Sequence, residues 1–215
     1  MRLDVLILTQ PSRRGFLQQL LTAFARQFAK HPEFLDNVQP IVRGYDPMLS
    51  LGQNREKLRE MSKADYIAFF DDDDLPSPNY VARVAPLLDG VDYIGFQLRY
   101  IQLMPGRIVC NILTKNSLAL GAWAQDQGGY LRDISHICPM RRDLAMRVPM
   151  EGGFGEDHRW ATRLRDLKLL KTEHTIDEPL YYYFFRGVKV DPQDFRDPRR
   201  AELSGNQPFD DPQRL

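Results

Sequence analysis

One stretch constrains this chain more than any other. Tyr66-Ile67-Ala68-Phe69-Phe70 runs straight into Asp71-Asp72-Asp73-Asp74, and Leu75-Pro76 follows. Five apolar or aromatic residues without polar alternation describe a strand covered on both faces. The four carboxylates then stand where that strand leaves its sheet, and in open α/β sheets ligands bind at that carboxyl rim. Four neighbouring like charges repel unless solvent or a cation compensates them. A hard divalent ion, Mg²⁺ or Mn²⁺, prefers oxygen ligands and bridges readily to phosphate. The rival reading is a solvated acidic turn capping the next helix. The buried strand in front of the run tips the balance toward a cation site.

The rest of the first half alternates strand and helix. Residues 3–9 form an apolar run with no helical period, broken by Gln10-Pro11-Ser12. Phe16, Leu17, Leu20, Leu21, Phe24 and Phe28 then recur at spacings of three and four, an amphipathic helix that ends at His31-Pro32. A second strand is expected over 38–42. A polar helix over 54–61 should turn Leu58 and Met61 inward, and residues 81–88 give another helical face. A fourth strand is expected over 93–96. This alternation predicts a mostly parallel, doubly wound sheet with its strand ends on one rim, so Thr9, Asp46 and the Asp run should converge.

The second half reads differently. Strands over 97–103 and 107–113 flank Met104-Pro105-Gly106, a strong turn signal, so a smaller antiparallel element is expected. Gly128-Gly129 marks a hinge, 131–138 reads as extended, and a short helix over 141–147 stops at Pro149. A glycine loop over 151–155 precedes a helix over 156–167 with Trp160, Leu164 and Leu167 on one face. Final strands are expected over 169–176 and 180–185. Residues 186–215 turn polar and rich in Pro, Asp and Arg, a tail or lid without its own core.

Three segments join the Asp run as candidates for chemistry. Thr9 to Arg14 follows the first strand, where Arg13 is either a phosphate or base contact or an exposed arginine at a helix start. Ser50 to Arg55 pairs Gly52 with a polar helix start, a weak anion site through free backbone N–H groups. Glu156 and Asp157 follow three glycines at the head of a helix. Acids there are favoured by the helix dipole alone, yet beside a cation cluster they also suggest a positioned base. His136 reads as a hydrogen-bonded structural residue, and His158 as either a neighbour of the acids or simply exposed. Tyr181 to Phe185 reads as core packing.

The balance of 29 basic and 29 acidic residues gives no global field for nucleic acid or anionic membrane. Cys110 and Cys138 lie far apart in apolar stretches, which reads as buried thiols in a reducing compartment. No apolar run approaches the ~18 residues of a membrane span, and a cytoplasmic location is expected. Walker and dinucleotide glycine patterns are missing, which argues against a P-loop NTPase or a dehydrogenase.

The ordered set of segments resembles the nucleotide-sugar glycosyltransferases of the GT-A fold, family two in particular. Thr9 to Leu17 is similar to the family's T-x-P-S-R-x-x-F-L opening, and Ser50 to Leu58 to its S-I-G-x-K-R-N-x-L segment. Asp71 to Asp74 resembles the D-x-D motif, and Glu156-Asp157 the acidic pair that heads a helix. Asn54 stands where that segment has Lys, Glu56 where it has Asn, and Tyr181 to Tyr183 where many relatives place a metal-binding His. The resemblance implies a GT-A-like domain over 1–185, with a nucleotide-binding half (1–100) and an acceptor-side half (101–185). It implies transfer of a sugar from a nucleoside diphosphate-sugar, a UDP-sugar foremost, to an acceptor hydroxyl with Mn²⁺ or Mg²⁺. Thr9, Arg13, Asp46, Arg55, Asp71 and Asp72 would contact the donor. Asp73, with Asp71 and Asp74, would hold the metal, and Asp157, with Glu156, would serve as base if the reaction inverts the anomeric centre. The acceptor stays open between a glycan, a lipid-linked sugar, a protein and a modified nucleobase. Rival readings are a nucleotidyltransferase acting on a sugar phosphate and a non-catalytic nucleotide-sugar-binding module.

Overall fold

The computed structural model describes residues 1–104, 107–126 and 129–186. Strands β1 (Leu3–Thr9), β2 (Val38–Gly44) and β3 (Tyr66–Asp71) pair in parallel, with helices α1 (Arg14–Lys30) and α2 (Leu51–Met61) between them. In this register Thr9 faces Gly44 and Leu8 faces Asp71, so all three strands leave the sheet at one level. Residues 66–70 are buried throughout, as a strand covered on both faces must be.

The chain then builds β4 (Leu75–Pro76), α3 (Tyr80–Val84), β5 (Tyr93–Met104), β6 (Arg107–Asn116), β7 (Ala124–Asp126), β8 (Gly129–Arg132), β9 (Met140–Arg141), α4 (Arg142–Ala145), α5 (Glu156–Asp166) and β10 (Glu173–Arg186). The sheet runs β2-β1-β3-β9-β5-β6-β8-β7, and β10 pairs with both β4 and β5. Strand β5 is the branch point. At Tyr93 it meets β9, from Gln97 onward it forms an antiparallel hairpin with β6, and along its length it runs parallel to β10. The sheet is therefore mixed, parallel around β1 and antiparallel at the β5–β6 hairpin and β7–β8.

Several expectations need correction. The strands expected over 93–96 and 97–103 are one strand, which carries the first half into the second without a break. The two final strands also merge into β10, with irregularities around Pro179 that a single bulged strand absorbs. The segment 131–138 is extended only as far as Arg132, after which Cys138 N–H bonds to Ser135 O and closes a turn. Helix α2 starts at Leu51, because Ser50 and Gln53 form a reciprocal capping box. Met61 and Leu167, expected on inward faces, are 47% and 59% exposed, since Met61 is the last residue of its helix and Leu167 caps the end of α5. Cys138 is buried, and burial pushes its thiol up to about 12. The side chain of Cys110, the Pro105-Gly106 turn, Gly128 and the tail over 187–215 lie outside the described residues. Among the described residues no helix is long and apolar enough to cross a membrane.

Candidate active site

Two hydrogen-bonded clusters form on the rim where β1, β2 and β3 end. In the first, Thr9 Oγ1 donates to Asp72 Oδ2 at 2.7 Å, and Arg13 Nη1 donates to Asp72 Oδ1 at 2.9 Å. The same guanidinium lies 3.4 Å from Asp73 Oδ1. Asp72 is buried, which pushes its carboxyl up against the opposing pull of Thr9 and Arg13. Asp72 thus fastens the loop after β1 to the end of β3.

Arg55 organises the second cluster. Its Nη2 donates to Asp71 Oδ1 at 2.8 Å, and its Nη1 donates to Glu156 Oε1 at 2.5 Å. One buried guanidinium thereby joins the acidic end of β3 to the head of α5, residues 101 positions apart in the chain for the Glu156 arm. Burial works against the charge on Arg55, but Asp71 and Glu156 outweigh it and hold the guanidinium protonated. Glu156 is itself buried, and burial pushes its carboxyl up despite Arg55.

Asp157 follows Glu156 and is only partly buried. Its Oδ2 lies 3.4 Å from His136 Nδ1. Burial alone would raise the Asp157 carboxyl, yet His136 and Arg55 bring it below the usual carboxylate range. Burial, then Arg55, push the His136 imidazole well below its own usual range, so it is neutral near pH 7. A neutral ring acts on Asp157 as a dipole, which leaves Arg55, and after it Arg132, as the cations that keep Asp157 ionised. The sequence predicts a hydrogen-bonded structural His136; instead, neither ring nitrogen has a hydrogen-bond partner among the described residues.

The remaining expected residues sit less centrally. Asp74 is buried, with Tyr181 Oη bonded to its Oδ2 at 2.7 Å and Phe184 N–H donating to its Oδ1 at 2.9 Å. Tyr181 Oη also accepts from Asp71 N–H, so this tyrosine ties β10 to the end of β3. Burial, together with Asp73 and Asp71, pushes Asp74 well above the usual carboxylate range. Asp46 reaches the rim through Tyr45 N–H, which bonds Thr9 O at 2.7 Å, but Asp46 Oδ1 accepts from Met48 N–H within its own loop. Gly52 N–H donates to Gly152 O and Gln53 N–H to Ser50 Oγ, so the start of α2 is not the free anion site expected there.

The departures from the family pattern have local explanations. Asn54 is fully buried; its Oδ1 accepts from Arg43 Nη1 and Asp46 N–H, and its Nδ2 reaches the carbonyls of Asp46, Leu49 and Ser50. It shapes the loop from Asp46 to Ser50, a task a lysine cannot perform because it accepts no hydrogen bond. Glu56 accepts from Arg59 Nη2 and Met150 N–H, and Arg59 in turn holds the carbonyls of Ala145 and Val148. Trp160 Nε1 donates to the same two carbonyls. Helices α2 and α5 thus clamp the segment that leads into the glycine loop.

That clamp depends on close approach. A Cβ on Gly52 would stand 2.6 Å from the carbonyl carbon of Glu151, with other backbone atoms of Glu151 at 2.8 Å. Gly52→Ala should therefore lower stability by about 1–3 kcal/mol, the cost of overpacking. A thermal melt checks it; an unchanged midpoint would mean that the loop yields freely.

No family model matches the sequence, and no curated relative is found. Solved structures do match the fold. S. aureus TarS 1–349 in complex with UDP-GlcNAc aligns with a TM-score of 0.59 at 14% identity, over 91% of this chain and 63% of that one. The same TarS fragment without a named ligand gives 0.58 at 15%, over 86% and 60%. The fold is GT-A. Glucosyl-3-phosphoglycerate synthase from Mycobacterium tuberculosis, in complex with Mn²⁺, UDP-glucose and phosphoglyceric acid, aligns with a TM-score of 0.55 at 14% identity, over 87% of this chain and 73% of that one. This GT-A chain covers less than two thirds of the TarS fragment's length.

Proposed function

We propose that this protein transfers a sugar from a nucleoside diphosphate-sugar to an acceptor hydroxyl. The observation that carries the proposal is Arg55, which holds Asp71 at the end of β3 and Glu156 at the head of α5 in one contact network. On this reading Arg55 joins an acid assigned to the donor with an acid pair assigned to the acceptor. The UDP-sugars in the two GT-A structures support uridine as the donor nucleoside, and the Mn²⁺ in one of them supports a divalent ion.

The donor set suits such an ion. Asp71 and Asp73 offer hard oxygen ligands at the partly exposed end of β3, and water or diphosphate oxygens complete such shells. Among the described residues no group of three or more His, Cys, Asp or Glu side chains is arranged to hold a metal. Asp74, with both oxygens bonded to β10, is better assigned to holding the strand ends together. When bound, the ion would stabilise negative charge on the departing diphosphate.

The chain's own residues do the rest. Thr9 and Arg13, held through Asp72, flank the nucleotide end, with Asp46 in the neighbouring loop. Arg55 keeps Asp71 oriented and Asp157 ionised. For inversion, Asp157 accepts the hydroxyl proton as the new bond to the sugar forms and the bond to the diphosphate oxygen breaks. A carboxylate is a weak base for a free alcohol, so the proton moves late, once the hydroxyl has become acidic.

Release of UDP from UDP-GlcNAc or UDP-glucose, dependent on Mn²⁺, tests the proposal. In a thermal shift, saturating UDP with Mn²⁺ should stabilise the protein, by about 2.7 kcal/mol at a hundred times Kd. Asp73→Ala should lose the Mn²⁺-dependent part, and Asp74→Asn, the closest mimic of a protonated buried acid, should keep it. A protein that binds neither UDP nor a UDP-sugar with Mn²⁺ present would refute the proposal.

A further inference from the structure

The ring of His136 has no task in the mechanism above, yet it stands beside the proposed base. The residue lies in the turn after β8, 21 residues before Asp157 in sequence. Its carbonyl accepts from Phe69 N–H at 2.8 Å, which moors it to β3 two residues before Asp71. The ring packs at 6.0 Å from the Phe69 ring, and His136 is only 9% exposed. Among the described residues, neither Nδ1 nor Nε2 has a hydrogen-bond partner. Buried polar groups in native proteins are almost always paired, and an unpaired one asks for an explanation. Asp157 Oδ2 lies 3.4 Å from Nδ1, slightly beyond ordinary hydrogen-bond length.

We propose that His136 is a positioning residue for Asp157, its Nδ1–H closing on Oδ2 in the substrate complex and leaving Oδ1 for the acceptor hydroxyl. The inference rests on the reading of Asp157 as the base. Hydrogen bonds at catalytic groups are often long in the free enzyme and tighten when substrate binds. The surroundings favour a neutral donor over an imidazolium. Arg55 from α2 and Arg132 from β8 disfavour a positive ring, while Asp157 from α5 and Asp71 from β3 favour one, and burial with Arg55 dominates. A neutral Nδ1–H orients a carboxylate without neutralising it, so Asp157 keeps its charge until it takes the proton. The balance is complete without a relay. The acceptor proton goes to Oδ1 of Asp157, the imidazole keeps its own proton, and water receives the proton from Asp157 after the product leaves.

Two substitutions separate positioning from packing. His136→Leu fills much of the same space without a donor, and His136→Asn retains an N–H near the Nδ1 position. His136→Leu should lower kcat about 10–100-fold, the usual range for a supporting partner, with the donor KM within about threefold. His136→Asn should recover most of kcat. Full kcat in His136→Leu, or equal loss in both variants, would overturn the proposal. A second readout does not depend on activity. Nitrogen-15 spectra of the ring should report the Nδ1–H tautomer, with a changed Nδ1 shift in Asp157→Asn. An Nε2–H tautomer would overturn the proposal even if neither substitution folds. If Asp157→Asn retains turnover, the base reading fails, and His136 has no base to position. If Asp157→Asn is inactive while His136→Leu is fully active, the positioning role alone fails.

Discussion

Arg55→Met should cost about 3–5 kcal/mol of folding stability, the usual penalty for removing one partner of a buried ion pair. Arg55 is buried between Asp71 and Glu156, and Glu156 is buried as well. Methionine fills similar volume but leaves Glu156 with a charge and no cation. The Asp71 arm contributes less, because its carboxylate is 38% exposed and water can replace the guanidinium. The deficit should depend on pH in a defined direction. Burial already raises the Glu156 carboxyl, and loss of Arg55 raises it further. An acid whose folded pKa is raised contributes stability at low pH that is lost as pH rises through that pKa. The variant should therefore lie closest to the native protein in acid and furthest from it near neutrality. Urea unfolding at several pH values measures this; a pH-independent difference would mean that Glu156 is already neutral. Arg55→Met combined with Glu156→Leu should regain much of the stability, since an apolar pair can replace a buried salt bridge. It should not regain activity, because Asp71 still lacks its guanidinium partner and Asp157 the larger of its two arginine charges.

How much of this was legible in the sequence varied with the physics. Strand β3 and its acidic end were visible because a strand buried on both faces has an unbroken apolar run, and no other run here ends in four acids. The division of labour within the run was not visible. Asp71 still belongs to the strand, but Asp72 turns to Thr9 and Arg13, and Asp74 turns to Tyr181 and Phe184. Those directions depend on where β1 and β10 arrive, which no local periodicity encodes. The same limit split β10 in two, since Pro179 looks like a terminator and is absorbed by a bulge beside β5. Asn54 and Glu56 read as departures from a motif, whereas each is a buried or half-buried hub of a loop. The hydrogen bond expected of His136 is missing among the described residues, and the carboxylate 3.4 Å from its ring, Asp157, is brought in by a separate helix. A histidine in an apolar turn gives no sign of whether it is satisfied or waiting.

Asp157→Asn should lower the transfer rate by about 10²–10⁴-fold, the range that general-base catalysis contributes. Asparagine has the shape of aspartate and cannot accept the proton. Donor affinity should stay within about threefold, because no donor-side residue of the first cluster touches Asp157. Stability should change little, since the side chain is partly exposed and its contact with His136 is long at 3.4 Å. This separates Asp157 from Glu156, whose substitution perturbs a buried ion pair and would reduce both stability and rate. The pH profile gives a further check on the same residue. In the acid range where it titrates, His136 and then Arg55 hold the Asp157 carboxyl below the usual carboxylate value of about 3.9. The base must be ionised, so kcat/KM should rise with pH through that lowered value and lie flat above about pH 5 on its acidic side. An acid limb near pH 6 would instead point to a group with a raised pKa, and buried Glu156 would be the first candidate. Single-turnover transfer with saturating UDP-sugar, measured beside a donor titration, separates the chemical step from binding. An Asp157→Asn protein with native single-turnover rate would remove Asp157 from the chemistry and leave Arg55 holding an acid pair whose work lies elsewhere.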